Sequence, residues 1–219
     1  MTAKLIINYY SDVLCVWAWI AQRRVEELIR DFGEQIDLHY LYVDIFGDTR
    51  TKINTQWATR GLYDGFSEHV VKSAAKFEHA PVNERIWKEV KPATSANAHL
   101  LLKAVALIAG DEISQLVALD IRKAFFVEAK DIGNLALLKS ILQRRQLNMP
   151  AIEECINNGG AVAALMRDYQ QAREQSIKGS PSFVLDSGRQ ILYGNVGYRV
   201  LHSNVEELLY HSEDEASWC

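Results

Sequence analysis

Ser11-Asp12-Val13-Leu14-Cys15-Val16-Trp17-Ala18-Trp19 separates two segments of opposite periodicity. Before it, Lys4 to Tyr10 is short, largely apolar and rich in β-formers, which predicts a strand. After it, Val16, Ala18, Ile20, Ala21, Val25, Leu28 and Ile29 recur at helical spacing until Asp31-Phe32-Gly33 closes the run. Cys15 is therefore expected where a strand hands over to a helix, beside the unpaired N–H groups and the positive dipole end of the helix start. Both favour thiolate over thiol, and the thiolate is the nucleophile, so the position predicts a reactive cysteine. The competing reading is the commoner one for a cysteine at large, a small buried hydrophobe.

Working outward, Gln35 to Val43 alternates as a second strand, with Ile36, Leu38, Tyr40 and Tyr42 on one face and Asp37, His39 and Leu41 on the other. From Asp48 to Gln175 the pattern is helical almost throughout, with Thr94 or Ser95 as N-cap to the run from Ala96 and Gly110 as its stop. Further runs cover Ser114 to Val127, Leu135 to Gln146, Ala151 to Ile156 and Val162 to Gln175. A strand-like Ser182 to Leu185, a turn at Asp186-Ser187-Gly188 and a second strand through Tyr193 make a hairpin, and Val200 to Tyr210 a last helix. The order implies an α/β fold in which both ends of the chain share one sheet, residues 1–47 plus 176–212. Residues 48–175 form an inserted helical lobe, and 213–219 a frayed tail.

The balance of 24 basic against 28 acidic side chains, with no basic run interleaved with aromatics, argues against a nucleic-acid partner. No apolar segment approaches a membrane span, and the opening residues are too briefly apolar for a signal peptide, so a cytoplasmic protein without membrane contact is expected. Three cysteines, at 15, 155 and 219, have neither disulfide-framework nor zinc spacing, and six scattered histidines show no metal pattern, so no metal is expected. In a reducing compartment the cysteines are thiols.

Four segments carry a family resemblance: Ser-Asp-x-x-Cys-x-Trp before the first helix, Asn97-Ala98-His99, Phe126 to Gly133, and Gly179-Ser180-Pro181-Ser182-Phe183. Together they resemble the DsbA-like thioredoxin superfamily, in particular its branch of FrnE-type proteins, 2-hydroxychromene-2-carboxylate isomerases and kappa-class glutathione transferases. The resemblance implies a thioredoxin-like fold with a large helical insertion and Cys15 as the catalytic thiol. It also implies a cis-Pro181 against that thiol, with the Ser180 backbone presented to an extended peptide or glutathione. In kappa-type relatives the turn after the last strand holds the γ-glutamyl end of glutathione; Gly194-Asn195 occupies the similar place here, and Asn195 can supply hydrogen bonds. The family's Ser-Asp pair is absent from that turn.

The departure with most consequence is Ala18, which stands where a dithiol relative has the second cysteine of Cys-x-x-Cys. Without it the motif cannot close its own disulfide, and a mixed disulfide with glutathione or another thiol is the redox chemistry left. Asp12 is expected first to cap the helix and otherwise to bind a substrate amine. Trp17 is expected to wall the site while Trp19 packs in the core, and His99 to face the cleft above Cys15, though a core or surface role is the ordinary one for a histidine. Cys155, beside Glu153 and Glu154, reads as structural, and Cys219 as a mobile terminal thiol that can in principle reach Cys15.

Three functions fit these residues. The first is a thiol-disulfide oxidoreductase working through Cys15 alone, with glutathione or a thiol/disulfide substrate as partner; the second is a glutathione-dependent isomerase or transferase; the third is a non-catalytic peptide-binding module. Each is compatible with a monomer or a homodimer.

Overall fold

The structure is a computed structural model that describes residues 4–210. Its sheet has four strands in the order β2-β1-β3-β4: β1 (Leu5–Ser11), β2 (Ile36–Tyr42), β3 (Ser182–Leu185) and β4 (Gln190–Tyr193). β1 pairs parallel with β2, Leu5 opposite Ile36 and Ser11 opposite Tyr42, because α1 (Val16–Phe32) carries the chain back between them. β3 runs antiparallel to β1, with Tyr10 opposite Ser182, and β4 returns against β3, with Tyr193 opposite Ser182. The C-terminal hairpin is thus laid against the first strand, and Pro181, one residue before β3, arrives beside the end of β1 where Cys15 begins α1.

Between β2 and β3 lie α2 (Thr49–Gln56), α3 (Leu62–Ala74), α4 (Ala96–Ala109), α5 (Asp111–Phe126), α6 (Leu135–Arg144), α7 (Met149–Asn157) and α8 (Gly160–Glu174). α9 (Tyr198–Tyr210) closes the described chain. Leu5, Ile7 and Tyr9 of β1 pack with Val25, Leu28 and Phe32 of α1 and Leu201 and Val205 of α9; on the opposite face Tyr10 and Val184 meet Ala172 and Ile177. The largest apolar cluster joins the two ends of the chain to the insertion. It runs from Val13, Leu14 and Trp19 through Phe46, Trp87 and Leu102 to Phe125 and Ile152.

Two expectations need correction, and the N-cap of α4 a refinement. Residues 75–95 are not helical: they cross the lobe as an irregular segment held by an Ile86–Val90 bridge and by Trp87, which is fully buried between Phe46, Phe66 and Phe125. Ser95 does occupy the N-cap of α4, but its hydroxyl makes no cap bond because it donates to Asp12, while Thr94 Oγ1 accepts the Ala96 N–H. α5 begins at Asp111 rather than Ser114, since Gly110 at φ +90° both ends α4 and opens α5, and Asp111 and Glu112 complement the helix dipole. The tail, with Cys219, lies outside the described residues.

Candidate active site

The turn Asp12–Cys15 carries β1 into α1, and Cys15 is the N-cap, its backbone extended (φ −81°, ψ 118°) and its N–H bonded to the Asp12 carbonyl at 3.1 Å. Its sulfur donates to the main-chain oxygen of Ser180 at 3.0 Å. The Ser180–Pro181 peptide is cis, and the Ser180 hydroxyl accepts the Asp12 N–H at 2.9 Å. One serine therefore meets the turn at both ends. The turn after β4 joins in from the other side: the Gly194 N–H donates to the Pro181 carbonyl at 2.8 Å, and Asn195, exposed, accepts from Arg24 Nη1 at 2.6 Å. The geometry brings Cys15, Ser180, Pro181 and the 194–195 turn together, with the Asn195 carboxamide oxygen committed to α1.

Asp12 is neither a helix cap nor a ligand for an amine. It is fully buried, its Oδ1 accepting the Leu14 N–H at 2.9 Å and its Oδ2 the Phe46 N–H and the Ser95 hydroxyl, each at 2.8 Å. Three donors converge on this carboxylate, yet burial outweighs them and pushes its pKa up to about 6. His99 is likewise fully buried and does not face an open cleft. Its Nε2 accepts the Val13 N–H at 3.2 Å, which requires that nitrogen to be unprotonated, so Nδ1 carries the proton and donates to Tyr169 Oη at 3.1 Å. Burial first, then Arg122 and Lys103, hold His99 down to about 3. Both residues act on the turn from behind. Trp17 is half-buried and packs on the main core.

The sulfur's own electrostatics depart from expectation. Cys15 is 7% exposed, and burial raises its pKa above the ordinary thiol value. The Ser180 hydroxyl and the Ala18 N–H oppose that rise, Asp12 adds to it, and the Trp17 N–H opposes it in turn. The helix-start amides act in the direction the sequence implies, but desolvation is larger, and the bond to the Ser180 oxygen uses the thiol proton. At rest the residue is a held thiol, not a free thiolate. Lys52 of α2, half-buried, has its Nζ 5.2 Å from the Phe46 ring centroid in a 600 Å³ cleft lined also by Asp44, Gly47 and Tyr169; burial lowers its pKa, and the negative forms of Asp12 first and Cys15 second oppose that.

Ser95, Tyr169, Lys52 and Arg122 were not recognised as parts of a site from the sequence. Arg122 left a trace: the buried face of α5 runs through Ser114, Val117, Ala118, Ile121 and Phe125, and a charged residue falls on that stripe. Cys155 is buried in the lobe, and among the described residues no three His, Cys, Asp or Glu side chains gather as a metal cluster.

A thiol at a strand-to-helix turn, faced by the residue before a cis-proline and roofed by inserted helices, defines a thioredoxin-fold thiol protein. The chain belongs to the DSBA-like thioredoxin domain family, whose model matches residues 6–206. It is 21% identical over 215 residues to the ClpXP adapter protein SpxH of Halalkalibacterium halodurans, covering 94% of this chain and 68% of that one. Among solved structures, a candidate protein disulfide isomerase from Nitrosomonas europaea superposes with a TM-score of 0.73 at 18% identity, over 96% of this chain and 100% of its own. The cytosolic disulfide reductase DsbM of Pseudomonas aeruginosa gives 0.69 at 17%, over 93% and 100%, and has also been solved with glutathione. A 2-hydroxychromene-2-carboxylate isomerase gives 0.64 at 17%, over 97% and 100%. No helix among the described residues is long and apolar enough to cross a membrane.

Proposed function

We propose that this protein is a single-thiol, glutathione-linked disulfide exchanger of the cytosol. The observation that carries the reading is Cys15 Sγ at 3.0 Å from the Ser180 carbonyl, with Ala18 where a resolving thiol would stand. An extended substrate placing a main-chain N–H on the Ser180 oxygen competes with the thiol for that acceptor and frees the sulfur to ionise. The thiolate then attacks a glutathione mixed disulfide: the substrate S–S bond breaks, a Cys15–glutathione S–S bond forms, and the substrate leaves as a thiolate. Glutathione attacks the adduct, releasing oxidised glutathione and regenerating Cys15, so the electron pair comes from glutathione. On this reading a carboxylate of the tripeptide pairs with Lys52, whose charge interacts with Asp12 and Cys15. The glutathione-bound structure of DsbM, a cytosolic disulfide reductase, lends support from a related fold.

The test is turnover of a glutathionylated peptide with glutathione and glutathione reductase. Wild type should turn over, Cys15→Ser should not, and equal rates for the two sink the proposal.

A second reading is favoured by the raised pKa of Cys15 together with Ala18: a glutathione-dependent isomerase or transferase, in which glutathione bound at Ser180 supplies the nucleophile. Cys15→Ser would then keep most of its activity on an electrophilic aromatic substrate. If peptide binding instead survives Cys15→Ala with no turnover of either kind, the chain is a binding module, a role in keeping with its likeness to an adapter protein.

A further inference from the structure

Arg122 is 2% exposed, and its guanidinium lies behind the thiol turn rather than in solvent. Nη2 donates to Ser11 Oγ at 2.9 Å and Nη1 reaches Gln22 Oε1 at a long 3.4 Å, while Nε has no partner. No carboxylate pairs with it among the described residues, and the fully buried Tyr9 hydroxyl lies within its field. A buried charge held this way is expensive, and an apolar residue of the same length would ordinarily serve packing as well or better. The groups that feel it surround the site: Tyr9 of β1, Tyr40 and Tyr42 of β2, Asp12 of the turn and His99 of α4.

We propose that Arg122, supplied by α5 of the helical lobe, is a positioning residue of the thiol site: it holds the Ser11 hydroxyl, and with it the end of β1 from which the Cys15 turn springs. The inference rests on the reading of Cys15 as the nucleophile. It completes a set of anchors that reaches every residue of the turn's entry: Arg122 on Ser11, Ser95 and Ser180 on Asp12, His99 on Val13. The inserted lobe supplies three of those four side chains. On this view it grips the turn and keeps the sulfur seated on the Ser180 carbonyl, besides roofing the site.

The direction of the effect follows from the contacts. Releasing Ser11 loosens the turn and wets the sulfur, and loss of the guanidinium favours protonation of Asp12, which otherwise opposes Cys15 ionisation. Both changes ease thiolate formation. The experiment is the rate of Cys15 alkylation by iodoacetamide as a function of pH, mapped to the Cys15 peptide, alongside thermal unfolding of the full chain. In Arg122→Met the midpoint should fall by about half a pH unit or more, roughly threefold in rate at neutral pH, with a melting temperature equal to or above wild type. Arg122→Lys, which keeps the charge and one donor to Ser11, should recover at least half of the shift. Leu142→Ala, a buried lobe residue on α6, should lower the melting temperature and leave the midpoint alone. A midpoint in folded Arg122→Met that superposes on wild type overturns the proposal. Should that variant not fold, Ser11→Ala decides, since it removes the acceptor at almost no change in volume: a lowered midpoint supports the role and an unmoved one overturns it. Exposure to oxidised glutathione in parallel separates the two claims. An adduct on Cys15 with no midpoint shift defeats the positioning role alone, and a shift without any adduct defeats the functional reading alone.

Discussion

Ser180 and Asp12 are joined across the site: the serine hydroxyl accepts the Asp12 N–H at 2.9 Å, while the carbonyl of the same serine takes the Cys15 thiol proton at 3.0 Å. The hairpin thus closes the thiol turn at its first residue and its last. Replacing Ser180 by alanine strands the Asp12 N–H and removes the hydroxyl that favours the thiolate. The expected result is slower alkylation of Cys15 at neutral pH and a loss of about 1–2 kcal/mol in urea unfolding. An unchanged alkylation rate would detach the serine hydroxyl from the sulfur's chemistry.

Restoring the second thiol should change the kind of chemistry. Ala18 is fully buried on the first turn of α1, and its N–H acts on the Cys15 sulfur, so a side chain there begins close to the thiol. Ala18→Cys is expected to lose two hydrogens on mild oxidation, measured by intact mass, and to stop accumulating a glutathione adduct because the new thiol resolves it. Persistence of the adduct would place the two sulfurs out of reach.

The two buried titratable groups behind the turn pull stability in opposite directions with pH. Asp12, raised from 3.8 to about 6 in the folded protein, binds its proton more tightly folded than unfolded, so its contribution is present at acid pH and is lost as pH rises from about 4 to 6. Relative to Asp12→Asn, wild type should lose about 2–3 kcal/mol between pH 4 and pH 7 in urea unfolding.

His99 runs the other way. Held neutral with a pKa of about 3 against 6.5, it is protonated first in the unfolded chain, and stability falls as pH drops below 6.5. Against His99→Gln, which stays neutral and keeps an acceptor for the Val13 N–H, wild type should lose about 3 kcal/mol from pH 6.5 to pH 4. A flat difference in either comparison would mean the group is solvated.

Much of this architecture was legible because local pattern decides it. The strand-to-helix switch at Ser11–Val16, the hairpin turn at Asp186–Gly188 and the helical periods from Ala96 onward are properties of neighbouring residues. Residues 75–95 depart from the helical pattern around them because Trp87, with no local period to announce it, is fixed by ring contacts from Phe46, Phe66 and Phe125. The same limit applies to the site. Cys15 and Pro181 stand in recognisable motifs, but whether Asp12 caps a helix or ties two lobes together depends on Phe46 and Ser95, which lie far along the chain. The sulfur's acidity is hidden from sequence for a related reason: helix-start amides can be read from it, whereas the depth of burial that outweighs them is a tertiary property.

The most direct measurement is peptide-mapped mass spectrometry of the full chain after exposure to oxidised glutathione, in wild type and Cys15→Ser. Attachment of one glutathione to the Cys15 peptide of wild type, lost in the variant, is the expected result. A Cys15 peptide that stays unmodified while Cys155 or Cys219 takes the label would contradict the assignment of this sulfur as the reacting atom.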